Sequence, residues 1–146
     1  MTHSPVHIAA LRQQICVEAR SWLGTPYHHM ARIKGVGVDC LQILIAVYSA
    51  VGLMEAFDPG YYPNDWMLHR DEERYLAGVL EHAHPVDTPS VGDMALYRFG
   101  RTYSHSAILV DGGLSVHSYM GLGVVLTDPC APPLGSRVVQ YFSFFN

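Results

Sequence analysis

Basic side chains are scarce: nine Lys and Arg stand against thirteen Asp and Glu in 146 residues, scattered without long runs. That leaves no cationic stripe for a nucleic-acid backbone or an anionic membrane, so neither is an expected partner. Long apolar stretches are missing too. The most apolar segment, Leu41 to Met54, is broken by Gln42, Ser49 and Gly52. It falls short of the roughly 18 to 20 residues that cross a bilayer and reads as a buried helix. Cysteine is limited to an odd count of three. Met1 to Gln14 lacks a basic start followed by an apolar run, so no secretory signal is legible; the expectation is a protein made in the cytoplasm with reduced thiols.

What remains is 49% hydrophobic and 15% charged residues with a net charge of -4, which suits a single domain over residues 1–146. A chain of this size buries about two-thirds of its unfolded surface and needs neither disulfides nor a structural metal. The one excess is nine His, the side chain most readily used as base, acid or ligand near neutral pH.

Ser4 before Pro5 marks a helix start, and Ile8, Leu11, Ile15, Ala19, Trp22 and Leu23 recur at helical spacing until Gly24. Residues 25 to 38 read as a loop, with Pro26, Gly35 and Gly37. A second helix runs from about Cys40 to Val51 and is apolar on nearly every side. Leu53 to Asn64 is turn-rich. Asp65 to His84 reads as a solvent-facing helix that ends at Pro85, which makes His82 and His84 helix-end residues. The period then changes: Met94–Phe99, His105–Val110, Leu114–Tyr119, Gly123–Thr127 and Val138–Phe145 read as strands between Gly, Pro and Asp. Helices first and an antiparallel sheet afterwards define an α+β domain.

Cys40 opens the second helix, where unpaired backbone N–H groups and the helix dipole favour a thiolate. A small buried hydrophobe is the alternative reading. The stretch Ser104 to Ser118 reads as a hairpin turning at Asp111-Gly112-Gly113. A three-residue loop pairs Val110 with Leu114 and sets His105 and His117 on one face as diagonal neighbours; a two-residue loop sets them on opposite faces. In the first register His105 can act as a base for a thiol and His117 can orient it. His28, His29, Asp39, Cys40 and His105 could be arranged around zinc, but no compact metal-ligand spacing is present, so neither metal nor cofactor is expected. Cys16 reads as packing and Cys130 as a loop residue. Tyr61, Tyr62 and Trp66 read as self-packing aromatics of a turn.

Four segments, Trp22-Leu23-Gly24-Thr25-Pro26-Tyr27, Gly37-Val38-Asp39-Cys40-Leu41, Val91-Gly92-Asp93 and Ser104-His105-Ser106-Ala107-Ile108, occur in an order that resembles the NlpC-like cell-wall cysteine peptidase superfamily. The resemblance covers roughly residues 12 to 119. Tyr27-His28-His29 with Lys34 to Cys40 looks most like the stand-alone peptidases of phage tails and gene-transfer particles, while His28-His29-Met30 departs from the Trp-Gly-Gly of many secreted members. The resemblance implies a papain-like core, Cys40 as nucleophile, His105 as base and His117 as its orienter. It places Tyr27 and Asp39 on the oxyanion and substrate-binding side. It also implies hydrolysis of an amide in the peptidoglycan stem peptide, between D-glutamate and a diamino acid, and extends the expected partners to phage tail proteins. An acyltransferase or lipid-directed hydrolase on the same core, and a non-catalytic tail assembly protein, are the competing expectations.

Overall fold

The computed structural model describes residues 3–61, 77–99 and 102–145. Helix α1, Pro5–Arg20, begins as its sequence indicates: Ser4 caps it by accepting from the His7 N–H, and Pro5 fills the first position, where no N–H partner is needed. It buries Leu11, Ile15, Cys16 and Ala19. The expected loop that follows contains a short antiparallel hairpin, β1 (Arg32–Ile33) and β2 (Gly37–Val38). Helix α2, Cys40–Ala50, has eight buried residues, from Cys40 to Tyr48, so it is the spine of the core.

The C-terminal half forms a six-stranded antiparallel sheet in the order β3-β8-β4-β5-β6-β7. These strands are β3 (His84–Val86), β4 (Met94–Phe99), β5 (Thr102–Val110), β6 (Leu114–Tyr119), β7 (Gly123–Thr127) and β8 (Val139–Ser143). Strand β3 corrects the sequence reading. Most of the helix expected over residues 65 to 84, with Trp66 and Tyr62, lies outside the described residues; within them only the short α3, Ala77–Leu80, is helical. His84 is a strand residue opposite Ser143 rather than a helix end. Pro85, taken as a helix terminator, sits in an edge strand, the place in a sheet where a missing N–H is tolerated.

Alternation along the strands separates two cores. Met94, Leu96, Ile108, Val110, Val116, Val124 and Phe142 pack with α1 and α2 on one face. Ala95, Tyr97, Phe99 and Ala107 pack on the other, under Leu134 from the segment between β7 and β8. The β5–β6 turn takes the three-residue form, with Val110 opposite Leu114 and Ile108 opposite Val116. Gly112 and Gly113 adopt φ of +82° and +72°, the left-handed region that side chains disfavour. At Gly123 the backbone approaches the site loop so closely that a Cβ would stand 2.7 Å from the Thr25 carbonyl oxygen.

Candidate active site

The start of α2 is built around Asp39. Its Oδ1 accepts from the Leu41 N–H at 3.1 Å and the Gln42 N–H at 2.8 Å, capping the helix. Its Oδ2 accepts from the Met30 N–H at 2.8 Å and lies 3.7 Å from His29 Nδ1. Asp39 is only 1% exposed. The residue assigned by resemblance to oxyanion or substrate binding is thus engaged as a cap that also fastens the 28–30 loop to the helix. Cys40, the next residue, is buried at the first position of α2.

Two serines that the sequence reading passed over hold this segment against the sheet. Ser106 Oγ donates to the Cys40 carbonyl at 2.7 Å, and Ser118 Oγ donates to the Val38 carbonyl at 2.7 Å. Each follows a histidine, in the dipeptides His105-Ser106 on β5 and His117-Ser118 on β6. Strand alternation sends the two hydroxyls to the α2 side and the two imidazoles to the other face. The repeated His-Ser pair was the available signal.

On that second face His105 Nε2 and His117 Nδ1 are 2.7 Å apart, with the rings 79° from parallel. Phe99 and Tyr119 pack their rings on His105 with centroids at 5.2 and 5.4 Å. Burial holds His117 down at about 4. Burial also holds His105 well below the ordinary 6.5, with the neighbouring His117 and the Arg137 charge adding to it. Both rings are therefore neutral at pH 7, and one donates its proton to the other. Because Nε2 of His105 is taken by His117, Nδ1 is the nitrogen left for chemistry. Tyr27 bridges to Val38 in parallel register and is half-buried. Burial raises its phenol, and the nearby Cys40 and Asp39 raise it further, so it stays a protonated donor beside the start of α2.

The other candidates stay apart from this cluster. Burial raises the Cys16 thiol within the first core, and Cys130 is an exposed loop thiol. Tyr61 is exposed. Among the described residues no three His, Cys, Asp or Glu are grouped to hold a metal ion, so the zinc arrangement of His28, His29, Asp39, Cys40 and His105 does not form. No described helix is long and apolar enough to cross a membrane.

No protein-family model and no curated protein matches the chain. Solved structures do. The NlpC/p60 domain of the peptidoglycan hydrolase SagA is 22% identical with a TM-score of 0.58, over 88% of this chain and 96% of that one. A Staphylococcus aureus NLP/P60 family protein described as similar to lipoprotein is 15% identical with a TM-score of 0.66, over all of this chain and 44% of that one. An NlpC/P60 family protein from Bacillus cereus is 17% identical with a TM-score of 0.64, over 88% of this chain and 39% of that one. The chain spans less than half the length of the last two. The fold is that of NlpC/P60 domains, a papain-like α+β arrangement.

Proposed function

We propose that the protein is a cysteine peptidase that hydrolyses an amide bond in peptidoglycan stem peptides. The observation that carries this reading is the neutral His105–His117 pair, set on β5 and β6 one residue from the serines that grip the Cys40 segment. The comparisons support it through the shared fold and through SagA, a peptidoglycan hydrolase.

In this reading His105 Nδ1 takes the Cys40 thiol proton, and the thiolate attacks the amide carbonyl carbon. The Cys40 N–H and the Tyr27 hydroxyl donate to the oxyanion. His105 passes its proton to the amine nitrogen as the C–N bond breaks, leaving a thioester. Water then attacks that carbonyl, His105 accepts its proton, and the C–S bond breaks to release the acid and regenerate the thiol. His117 orients the base throughout. The reading requires the thiol to reach His105 past the end of β5, because the imidazole leaves the strand on the face away from α2.

The bond between D-glutamate and the diamino acid, and a role in a phage tail particle assembled from the cytoplasm, extend the proposal and rest on the sequence resemblance. The lipid-directed alternative needs an apolar groove beside Cys40. A depression of about 250 Å³ lined in part by Val91, Leu109, Leu114 and Tyr141 lies at the β5–β6 turn.

Mass spectrometry of purified muropeptides incubated with the protein tests the reading. A new peptide end that appears with the native chain and not with Cys40→Ala is the expected result. Muropeptides unchanged by the native chain overturn it.

A further inference from the structure

Three of the cations among the described residues pair with carboxylates, and Arg137, like Arg32 and Arg98, does not. Arg12 pairs with Asp93 at 2.8 Å, Arg20 with Asp111 at 3.1 Å and Lys34 with Glu18 at 3.2 Å. Arg137 has no carboxylate partner among the described residues. Its Nε donates to the Pro133 carbonyl at 2.8 Å and its Nη1 to the Arg98 carbonyl at 3.5 Å. Asp128, the acid of the same segment, accepts from the Cys130 N–H.

The guanidinium is nonetheless held in place. Its carbon lies 3.5 Å from the centre of the Phe99 ring, and that ring packs on His105. Its backbone N–H donates to the Leu134 carbonyl, and Leu134 is buried in the second core, which anchors the segment to the His face of the sheet. The residue itself is exposed to solvent. A planar guanidinium stacked on an aromatic has lost much of its rotamer freedom before any ligand arrives, and its outer N–H groups match a carboxylate fork to fork. Arg137 packs on the Phe99 ring, and that ring packs on His105 at a tilt of 47°, so Phe99 links the guanidinium to the imidazole.

We propose that Arg137 determines specificity by binding a carboxylate of the substrate beside the scissile amide, so that an acidic residue there is preferred over its amidated form. This rests on the peptidase reading and deepens it. The Arg137 charge also opposes protonation of His105, and a bound carboxylate would offset that charge as the base takes up its proton.

Two probes test it: L-alanyl-γ-D-glutamyl-diaminopimelate and the same tripeptide with the glutamyl α-carboxylate amidated. A charge-assisted hydrogen-bonded pair predicts a kcat/KM at least about tenfold higher for the acid peptide. Arg137→Gln brings the two peptides to near equality through loss on the acid peptide, mainly in KM, and Arg137→Lys keeps part of the preference. Equal losses on both peptides, or an unchanged preference, overturn the proposal. Calorimetric binding to the uncleaving Cys40→Ala chain separates this from the hydrolase reading. Binding of the acid peptide that is selective and is lost in Cys40→Ala/Arg137→Gln upholds the Arg137 site even where the native chain cuts neither peptide. Unselective binding, or none up to millimolar peptide, overturns it.

Discussion

His105 and His117 share one proton across 2.7 Å, each ring buried and each neutral at physiological pH. The pairing joins neighbouring strands on the face of the sheet opposite α2, so its cost and its use are separable. Charging either ring destabilises the fold, whereas two neutral rings with His105 donating through Nε2 keep the lone pair on its Nδ1.

The pair makes the protein acid-sensitive in a defined window. In the unfolded chain a histidine binds its proton near 6.5, but the native His117 resists until about 4. Stability from this group is therefore complete above 6.5 and is lost as pH falls toward 4, with no further loss below. His117 alone should lower the unfolding free energy by about 2 kcal/mol between pH 7.5 and pH 5, with His105 acting in the same direction. Urea unfolding at the two pH values measures it. His117→Asn, which retains an acceptor for His105 but does not titrate, should flatten part of the slope, and a native chain with equal stability at both pH values contradicts the neutral pair.

Thiol labelling should distinguish the three cysteines. Cys40, at the helix start, should react with iodoacetamide between pH 6 and 7. Cys16 should remain unlabelled until the chain unfolds, because it is buried and its thiol is raised. Cys130, exposed in its loop, should react at the pace of an ordinary surface thiol. His105→Ala should slow Cys40 labelling at neutral pH without changing Cys130. Mass spectrometry of the labelled peptides provides the reading, and Cys40 labelling no faster than Cys130 at pH 6.5 contradicts an activated nucleophile.

Asp39→Ala should cost about 2 to 3 kcal/mol, because it strips the acceptor from the Leu41, Gln42 and Met30 N–H groups together. Asp39→Ser should recover part of this by capping Leu41 and Gln42 while leaving Met30 unheld. Denaturant midpoints of the two variants and the native chain give the comparison; equal losses would mean that capping Leu41 and Gln42 contributes nothing, and a Ser variant as stable as the native chain would mean the same of the tie to Met30.

Ser106→Ala removes the hydroxyl that ties β5 to the Cys40 carbonyl. The expected stability loss is only about 1 kcal/mol, but kcat should fall at least tenfold with KM little changed, since a nucleophile displaced by a fraction of an ångström is costly. Steady-state kinetics on muropeptides beside urea unfolding checks both. Unchanged kcat would mean that the grip on Cys40 is not needed for positioning.

Much of this architecture is legible in the residue order, because its signals are local. Ser4-Pro5 and Asp39 are caps that act within three residues of themselves, so the starts of α1 and α2 can be read directly. Gly92, Gly112, Gly113, Gly121 and Gly123 take positive φ and mark the turns before β4, between β5 and β6 and between β6 and β7, whereas β5, read as starting at His105, begins three residues earlier at Thr102, where it pairs with Phe99 of β4. The α+β class, the candidate thiol and the two candidate imidazoles follow from the same local information.

The rest depended on contacts that no window of sequence contains. Asp111-Gly112-Gly113 permits two registers; the three-residue form aligns Ile108, Val110 and Val116 with α2 and thereby puts His105 and His117 on a common face. Pro85 looks like a stop until β8 offers an edge on which its missing N–H does not matter. Ser106 reaches Cys40 across 66 positions and Ser118 reaches Val38 across 80, so their hydroxyls are unremarkable until the chain closes. Local backbone preference determined where the elements begin and end. Burial of apolar faces, which acts between distant segments, decided which side each polar group faces and what it holds.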